Sequence, residues 1–101
     1  MSEPNHDQWW LVRLGNLLLW SRLRLRPSGT AEVLDHSGNA HSYDSEDSAR
    51  AALLDAEYRS LDGLDEDDAL ALGLPLADLV PPQGDDESLP ARMAQPLPAT
   101  H

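Results

Sequence analysis

Cysteine, lysine, isoleucine and phenylalanine are all absent from this 101-residue sequence. Without cysteine the chain forms no disulfide, offers no thiolate nucleophile and cannot bind zinc through sulfur. The absence of lysine, isoleucine and phenylalanine, beside abundant alanine, leucine, aspartate and arginine, is typical of GC-rich bacterial coding. That observation concerns the genome and carries no information on function.

Positive charge is scarce and unevenly distributed. Seven arginines stand against eighteen acidic residues, which gives a formal net charge of -11. Residues 1–34 contain four of the arginines and three acidic residues, whereas residues 35–101 contain three arginines and fifteen acidic residues. Because non-specific binding to nucleic acid needs a positive potential, this balance argues against a nucleic-acid partner.

Motifs that specify a chemistry are also absent from the sequence. No serine has a histidine at nucleophile–base spacing, and there is no glycine-rich phosphate loop. The acidic run Asp62–Asp68 does not fit a calcium loop, because the fifth and sixth positions counted from Asp65 are Ala69 and Leu70. We therefore expect no enzymatic activity and no cofactor.

Two histidines, His36 and His41, are the weak candidates for a metal site. They flank a predicted turn, with Asp35 and Asp44 nearby. A metal site needs convergent donors that are oriented by further hydrogen-bonding groups, and an exposed hairpin tip supplies no such support. We therefore expect no metal at this place.

The stretch Leu17 to Arg26 reads LLLWSRLRLR and alternates between arginine and leucine from Arg22 onward. Alternation with period two is typical of a strand with one apolar face. Turn residues precede it at Gly15-Asn16 and follow it at Pro27-Ser28-Gly29, and a further two-residue turn is predicted at Gly38-Asn39. The pattern predicts a four-stranded antiparallel meander.

The predicted turns fix the pairing between strands. Leu14 should face Leu17, and Leu25 should face Ala31, with Arg24 opposite Glu32. The two-residue turn at Gly38-Asn39 would place His36 opposite His41 and Leu34 opposite Tyr43.

The periodicity becomes helical after Asp44. A stripe of alanines and leucines predicts a main helix from about Glu46 to Leu61, packed on one face of the sheet. A second, shorter helix is predicted between an N-cap at Asp65 and a stop at Gly73. The fold class is thus α+β, with a flexible N-terminus over 1–8, one domain over 9–80, and a disordered acidic, proline-containing tail over 81–101.

These registers divide the strand residues between two faces of the sheet. The predicted core, on the helix side, consists of Trp10, Val12, Leu14, Leu19, Leu23, Leu25, Ala31, Val33, Leu53 and Ala56. The opposite, outer face would mix aromatic residues with arginines, as interfaces do. The residues predicted to bind a partner there are Trp9, Trp20, Arg22, Arg24, Arg26, Leu34 and Tyr43.

The leading functional hypothesis is therefore a small, non-enzymatic interaction or regulatory protein that binds a protein partner, or a second copy of itself, through this outer face. One alternative is single-stranded nucleic-acid binding through the same face. Another is an acidic charge mimic that occupies a basic groove. The outer face could instead be covered by the second helix, the tail or a second copy of the chain. We give this interpretation the same weight as an open binding face, because large exposed apolar patches are rare. With no secretion signal at Met1–Gln8 and no long apolar run, the cytoplasm is predicted.

Overall fold

The computed structural model describes residues 6–85 and 87–97. This part of the chain contains six strands and three helices, with single 3-10 turns at Leu61–Gly63 and Leu76–Asp78. The elements in chain order are β1 His6–Leu14, β2 Leu17–Leu25, β3 Ala31–Leu34, β4 Ala40–Tyr43, α1 Glu46–Asp55, β5 Arg59–Ser60, α2 Glu66–Leu72, α3 Leu89–Arg92 and β6 Ala94–Pro96.

The strands form one antiparallel sheet in the order β4-β3-β2-β1-β5, and β6 pairs with the first residues of β2. The predicted α+β class with an antiparallel meander is confirmed. The prediction of four strands is wrong, because β5 and β6 also join the sheet. These strands have only two and three residues, too few to show an alternating pattern.

The two longest strands pair as predicted. Leu14 lies opposite Leu17 across the first turn, and Trp10 lies opposite Ser21. The register of β2 with β3 is also confirmed, with Leu25 opposite Ala31. β1 begins at His6, three residues before the predicted Trp9. Residues 1–5 of the predicted flexible N-terminus lie outside the described residues.

The predicted register of β3 with β4 is wrong. Leu34 lies opposite Ala40 rather than Tyr43, because the connection is a three-residue loop over 36–38 and not a two-residue turn. The Asp35 N–H donates to the Asn39 carbonyl at 3.0 Å, and Gly38 adopts a φ of 85°. Since the shift is an odd number of residues, Tyr43 moves to the opposite face of the sheet.

Both longer helices have clear ends. The Ser45 hydroxyl accepts a hydrogen bond from the Ser48 N–H and starts α1. This helix stops at Asp55, short of the predicted Leu61, because the chain turns at Glu57 to form β5. The predicted second helix is confirmed as α2, with Asp65 as N-cap and Gly73 in the left-handed conformation at its end.

Each face of the sheet has its own apolar core. The α1-side cluster contains Trp10, Leu23, Ala31, Val33, Ala49 and Leu53. The opposite cluster is covered by α2, α3 and the C-terminal segment, and contains Leu11, Leu18, Trp20, Leu34, Ala69, Leu72, Leu79, Leu89, Met93 and Leu97.

Most of the predicted core residues lie on the α1 side, but four are not buried. Leu14 and Ala56 are exposed, and Val12 and Leu25 are only half-buried. Ala56 lies past the end of α1, and the α1-side cluster includes no residue of β1 beyond Trp10. The predicted core therefore extended too far along the hairpin.

The prediction of a disordered tail over 81–101 is wrong for the described residues 81–85 and 87–97. Leu89, Met93 and Leu97 recur every fourth residue and are all buried against the sheet. The Leu97 N–H donates to the Asn16 carbonyl at 2.7 Å, which ties the segment to the first hairpin. Residue 86 and residues 98–101 of the predicted tail lie outside the described part.

The turn before α3 is held by an exposed carboxylate. The Asp85 side chain accepts hydrogen bonds from the backbone N–H and the hydroxyl of Ser88, at 2.9 and 2.8 Å. These two hydrogen bonds lower the pKa of Asp85 below its ordinary value of 3.8. The segment thus has its own local capping interaction in addition to its packing.

None of the helices in the described residues has the length and apolar composition that crossing a membrane would require.

Candidate functional site

The residues predicted to bind a partner do not form an open surface. Trp9, Trp20, Arg22, Arg24 and Leu34 share the sheet face opposite α1, as the β1–β2 and β2–β3 registers require. In the single chain this face is the floor of the second core, and Trp20 and Arg22 are 0% and 4% exposed. Cover from within the chain, weighed as an equal possibility, is what the structure shows.

Trp20 is the residue on which the C-terminal segment is anchored. Its indole N–H donates to the Gln95 side-chain oxygen at 3.0 Å, and its backbone N–H donates to the Met93 carbonyl at 2.8 Å. Its ring meets the Trp9 ring edge to face, with the ring centroids 6.0 Å apart. An aromatic side chain held in this way is a core residue of the monomer.

The arginines at the edge of this face form ion pairs within the chain. Arg24 binds Asp7 through two nitrogens, at 2.8 and 3.1 Å. Arg26, rather than Arg24, binds Glu32 at 2.6 Å. Register alone did not predict this exchange of partners, because long side chains reach diagonal neighbours as well as directly opposite ones.

The remaining predicted residues lie elsewhere. Tyr43 packs at the edge of the α1-side cluster, on the face opposite Trp20. His41 is exposed and lies 3.6 Å from Asp35. No group of three or more potential metal ligands occurs within residues 6–85 and 87–97.

A different apolar surface is open at the end of the first hairpin. Two cross-strand pairs, Val12 with Leu19 and Leu14 with Leu17, lie on the α1 side of the sheet, and none of the four belongs to the α1-side cluster. Leu14 is 65% exposed and Leu17 is 37% exposed. Val12 is half-buried and Leu19 is only 6% exposed, so the open surface consists of Leu14 and Leu17, which we call the hairpin patch.

The end of the hairpin is held from both sides. The Arg13 Nε donates to the Gly15 carbonyl at 2.9 Å, and the Asn16 carbonyl accepts from the Leu97 N–H. Gly15 takes the left-handed conformation with a φ of 64°, which the tight turn requires. The leucines of the hairpin patch are therefore presented on a preorganised scaffold, which lowers the entropic cost of binding.

A cavity of about 400 Å³ lies at the carboxyl end of α1. Leu54, Tyr58 and Leu64 provide apolar walls, and Glu57 and Arg59 provide one charge of each sign. Ser60 and Gly63 complete the lining. The volume is at the low end of small-ligand sites, and such sites combine apolar walls with a few polar groups in this way.

Comparison with known proteins gives no match. No family model, no curated protein and no solved structure is significantly similar to the chain.

The sequence left open whether the outer face is exposed or covered, and the structure has an exposed apolar pair, Leu14 and Leu17, on the other side of the sheet. Leu14 was assigned to the core because it alternates with Val12, and alternation identifies a face without showing how far a helix covers it. The sequence does contain a signal for the packing of the C-terminal segment. Leu89, Met93 and Leu97 are spaced four residues apart, as apolar residues that pack on one surface often are. The cavity has no comparable signal, because its walls come from a helix end, a loop, the short strand β5 and a 3-10 turn.

Proposed function

We propose that the protein is a small, non-enzymatic interaction protein of the cytoplasm that binds a protein partner through the hairpin patch. The observation that carries this proposal is the exposed pair of Leu14 and Leu17, directly opposite each other on a rigid hairpin. Apolar side chains grouped at one place on a monomer are typical of an interaction site. Because both strands also belong to the two cores, binding there would not require the domain to rearrange.

The partner is a different protein rather than a second copy of this chain. Two copies would each bring a net charge of -11, and their mutual repulsion opposes close approach. A partner with apolar side chains at the centre and basic residues around them would match the hairpin patch and the acidic molecule that surrounds it. The buried position of Trp20 and Arg22 gives no support to nucleic-acid binding through the predicted face.

The test compares two double variants of equal net charge. Leu14→Glu with Leu17→Glu places two carboxylates in the hairpin patch. Leu70→Glu with Val80→Glu adds the same charge at two other exposed apolar residues, which are 61% and 60% exposed. We expect the wild type and the control to retain the same partner from an extract of the source cells. The hairpin variant should lose it while keeping its melting temperature.

The acidic charge mimic gives a different result in the same experiment. Added carboxylates would leave such an interaction intact or strengthen it, and moderate salt would release the partner. Retention by the hairpin variant would therefore contradict the proposal. Sedimentation of the purified wild type tests self-association separately, and a stable dimer would contradict the choice of a different protein as partner.

A further inference from the structure

Glu57 has a backbone conformation that side chains rarely adopt. Its φ is 69°, and it is the one non-glycine residue with a positive φ within residues 6–85 and 87–97. The conformation closes α1: the Glu57 N–H donates to the Leu54 carbonyl at 3.0 Å, and the Tyr58 N–H donates to the Leu53 carbonyl at 2.9 Å. This motif usually has glycine at the left-handed position.

The second helix shows the same motif with the usual residue. Gly73 occupies the left-handed position at the end of α2 and donates to the Leu70 carbonyl at 3.0 Å, while the Leu74 N–H donates to the Ala69 carbonyl. The two helix ends therefore have equivalent backbone geometry. Glycine serves at one of them, and a glutamate stands at the other.

The charge of Glu57 is also unfavourable where it lies. The carboxyl end of a helix carries partial negative charge, which repels a carboxylate and attracts a cation. The last turn of α1 contains no basic residue. Within the described part of the chain, the Glu57 carboxylate takes part in no hydrogen bond or ion pair. A residue that breaks two local rules at once is often retained for function.

The surroundings of Glu57 indicate what its carboxylate would bind. The cavity beside it has apolar walls from Leu54, Tyr58 and Leu64. Its other charged residue, Arg59, already pairs with Asp68 at 3.1 Å. The cavity therefore combines an uncompensated carboxylate, an aromatic ring and aliphatic groups, and a cation with an apolar stem complements all three.

We propose that this cavity binds an arginine side chain of the protein partner. The inference rests on the proposed protein-binding function and names a second contact of that partner. The aliphatic stem of the arginine would pack on Leu54 and Leu64, and its guanidinium would bind the Glu57 carboxylate beside the Tyr58 ring. Guanidinium fits this arrangement better than ammonium, because it binds a carboxylate through two nitrogens and stacks on aromatic rings.

The test uses butylguanidinium, which carries the side-chain chemistry of arginine and does not require the partner. Its binding is followed by the amide resonances of residues 54–64 in the full chain. We expect saturable shifts with a dissociation constant on the order of 1 mM. Butylurea, which is similar in shape but neutral, should give shifts that do not saturate over the same range.

Three variants identify the group responsible. Glu57→Gln keeps the backbone demand and removes the charge, and it should weaken binding about tenfold or more. Glu57→Gly removes the side chain and relaxes the backbone, so it should weaken binding equally while raising the melting temperature. Asp47→Asn makes the same charge change in the first turn of α1 and should bind like the wild type.

The proposal is overturned if butylurea binds as well as butylguanidinium, or if folded Glu57→Gln retains wild-type affinity. The absence of saturable shifts in the wild type would also overturn it. None of these results affects the hairpin patch, because the capture experiment with Leu14→Glu and Leu17→Glu involves no cavity residue. Failure of the cavity and failure of the proposed function are therefore separate outcomes.

Discussion

Glu57 and Gly73 occupy equivalent left-handed positions at the carboxyl ends of α1 and α2. Glycine adopts this backbone conformation without strain, whereas glutamate does not. A non-glycine residue in the left-handed region costs about 1–2 kcal/mol, and a carboxylate at a helix carboxyl end adds a few tenths of a kcal/mol. Glycine avoids both costs, but its more flexible unfolded state lowers the free energy of unfolding by about 0.5–1 kcal/mol. We predict that Glu57→Gly raises the free energy of unfolding by about 1 kcal/mol, measured by urea denaturation.

The matched substitution at the other helix end should have the opposite sign. Gly73 has a φ of 105°, and a Cβ added there would lie 3.0 Å from a Leu97 methyl carbon. Gly73→Ala should therefore lower the free energy of unfolding by about 1 kcal/mol or more, through strain and crowding together. Equal effects of both substitutions would show that the left-handed conformation is not what distinguishes these positions.

Neighbouring residues on β2 differ in what they contribute to stability. Leu23 is fully buried in the α1-side cluster, so Leu23→Ala should cost about 2–5 kcal/mol. Arg24 points to the opposite face and pairs with Asp7 where both side chains are partly exposed, so Arg24→Ala should cost about 1 kcal/mol or less. Thermal and urea denaturation of both variants measure this difference, and a larger loss for Arg24→Ala would contradict the face assignment.

At the scale of elements, the C-terminal segment is part of the fold. Met93 is fully buried in the core on the face opposite α1, and its backbone carbonyl accepts a hydrogen bond from the Trp20 N–H. We predict that Met93→Ala costs about 2–5 kcal/mol. Ending the chain at Gly84 removes Leu89, Met93 and Leu97 together. This truncation should lower the melting temperature by much more than Met93→Ala does.

The control for this prediction is an exposed residue of the same segment. Glu87 is exposed, and Glu87→Ala should leave the melting temperature nearly unchanged. In the truncated chain Trp20 should become accessible to fluorescence quenchers. A truncated protein with the wild-type melting temperature would mean that the second core does not depend on the segment.

The elements that sequence reasoning placed correctly are those defined by local patterns. The β1–β2–β3 pairing follows from alternation and from turn residues next to the strands, and α2 follows from its cap at Asp65 and its stop at Gly73. The β3–β4 register depended on choosing between a two-residue and a three-residue loop around Gly38, and both have favourable glycine positions. One residue in that choice decides the face of Tyr43.

The candidate sites were less predictable, because they depend on which face of the sheet is covered by segments that are distant in sequence. Alternation placed Trp20 and Arg22 on one face correctly, but it could not show that a proline-containing segment far along the chain returns to cover them. The same reasoning buried Leu14, which the structure leaves open. Long-range packing of this kind has a weak local signal, since Leu89 and Met93 are separated by arginine, alanine and proline.

At the scale of the whole molecule, negative charge exceeds what the arginines can neutralise. Among the described residues, Arg24, Arg26, Arg50 and Arg59 each pair with a carboxylate, and the net charge remains -11. Partly exposed pairs of this kind contribute little, about 0–1 kcal/mol each. Repulsion among the remaining carboxylates acts on the folded chain more than on the unfolded chain, because folding brings the charges closer together.

Salt should therefore stabilise this protein. Raising sodium chloride from about 10 mM to about 500 mM shortens the screening length from roughly 30 Å to about 4 Å, which weakens distant repulsions more than direct ion pairs. We predict that the melting temperature rises by several degrees over this range. Asp55→Arg replaces one negative charge by a positive charge at the exposed carboxyl end of α1, so it should raise the melting temperature at low salt and reduce the response to salt. A melting temperature that falls with salt would show instead that these ion pairs outweigh the repulsion. In that case the acidic surface would be a structural network, and it would be less available to a basic partner.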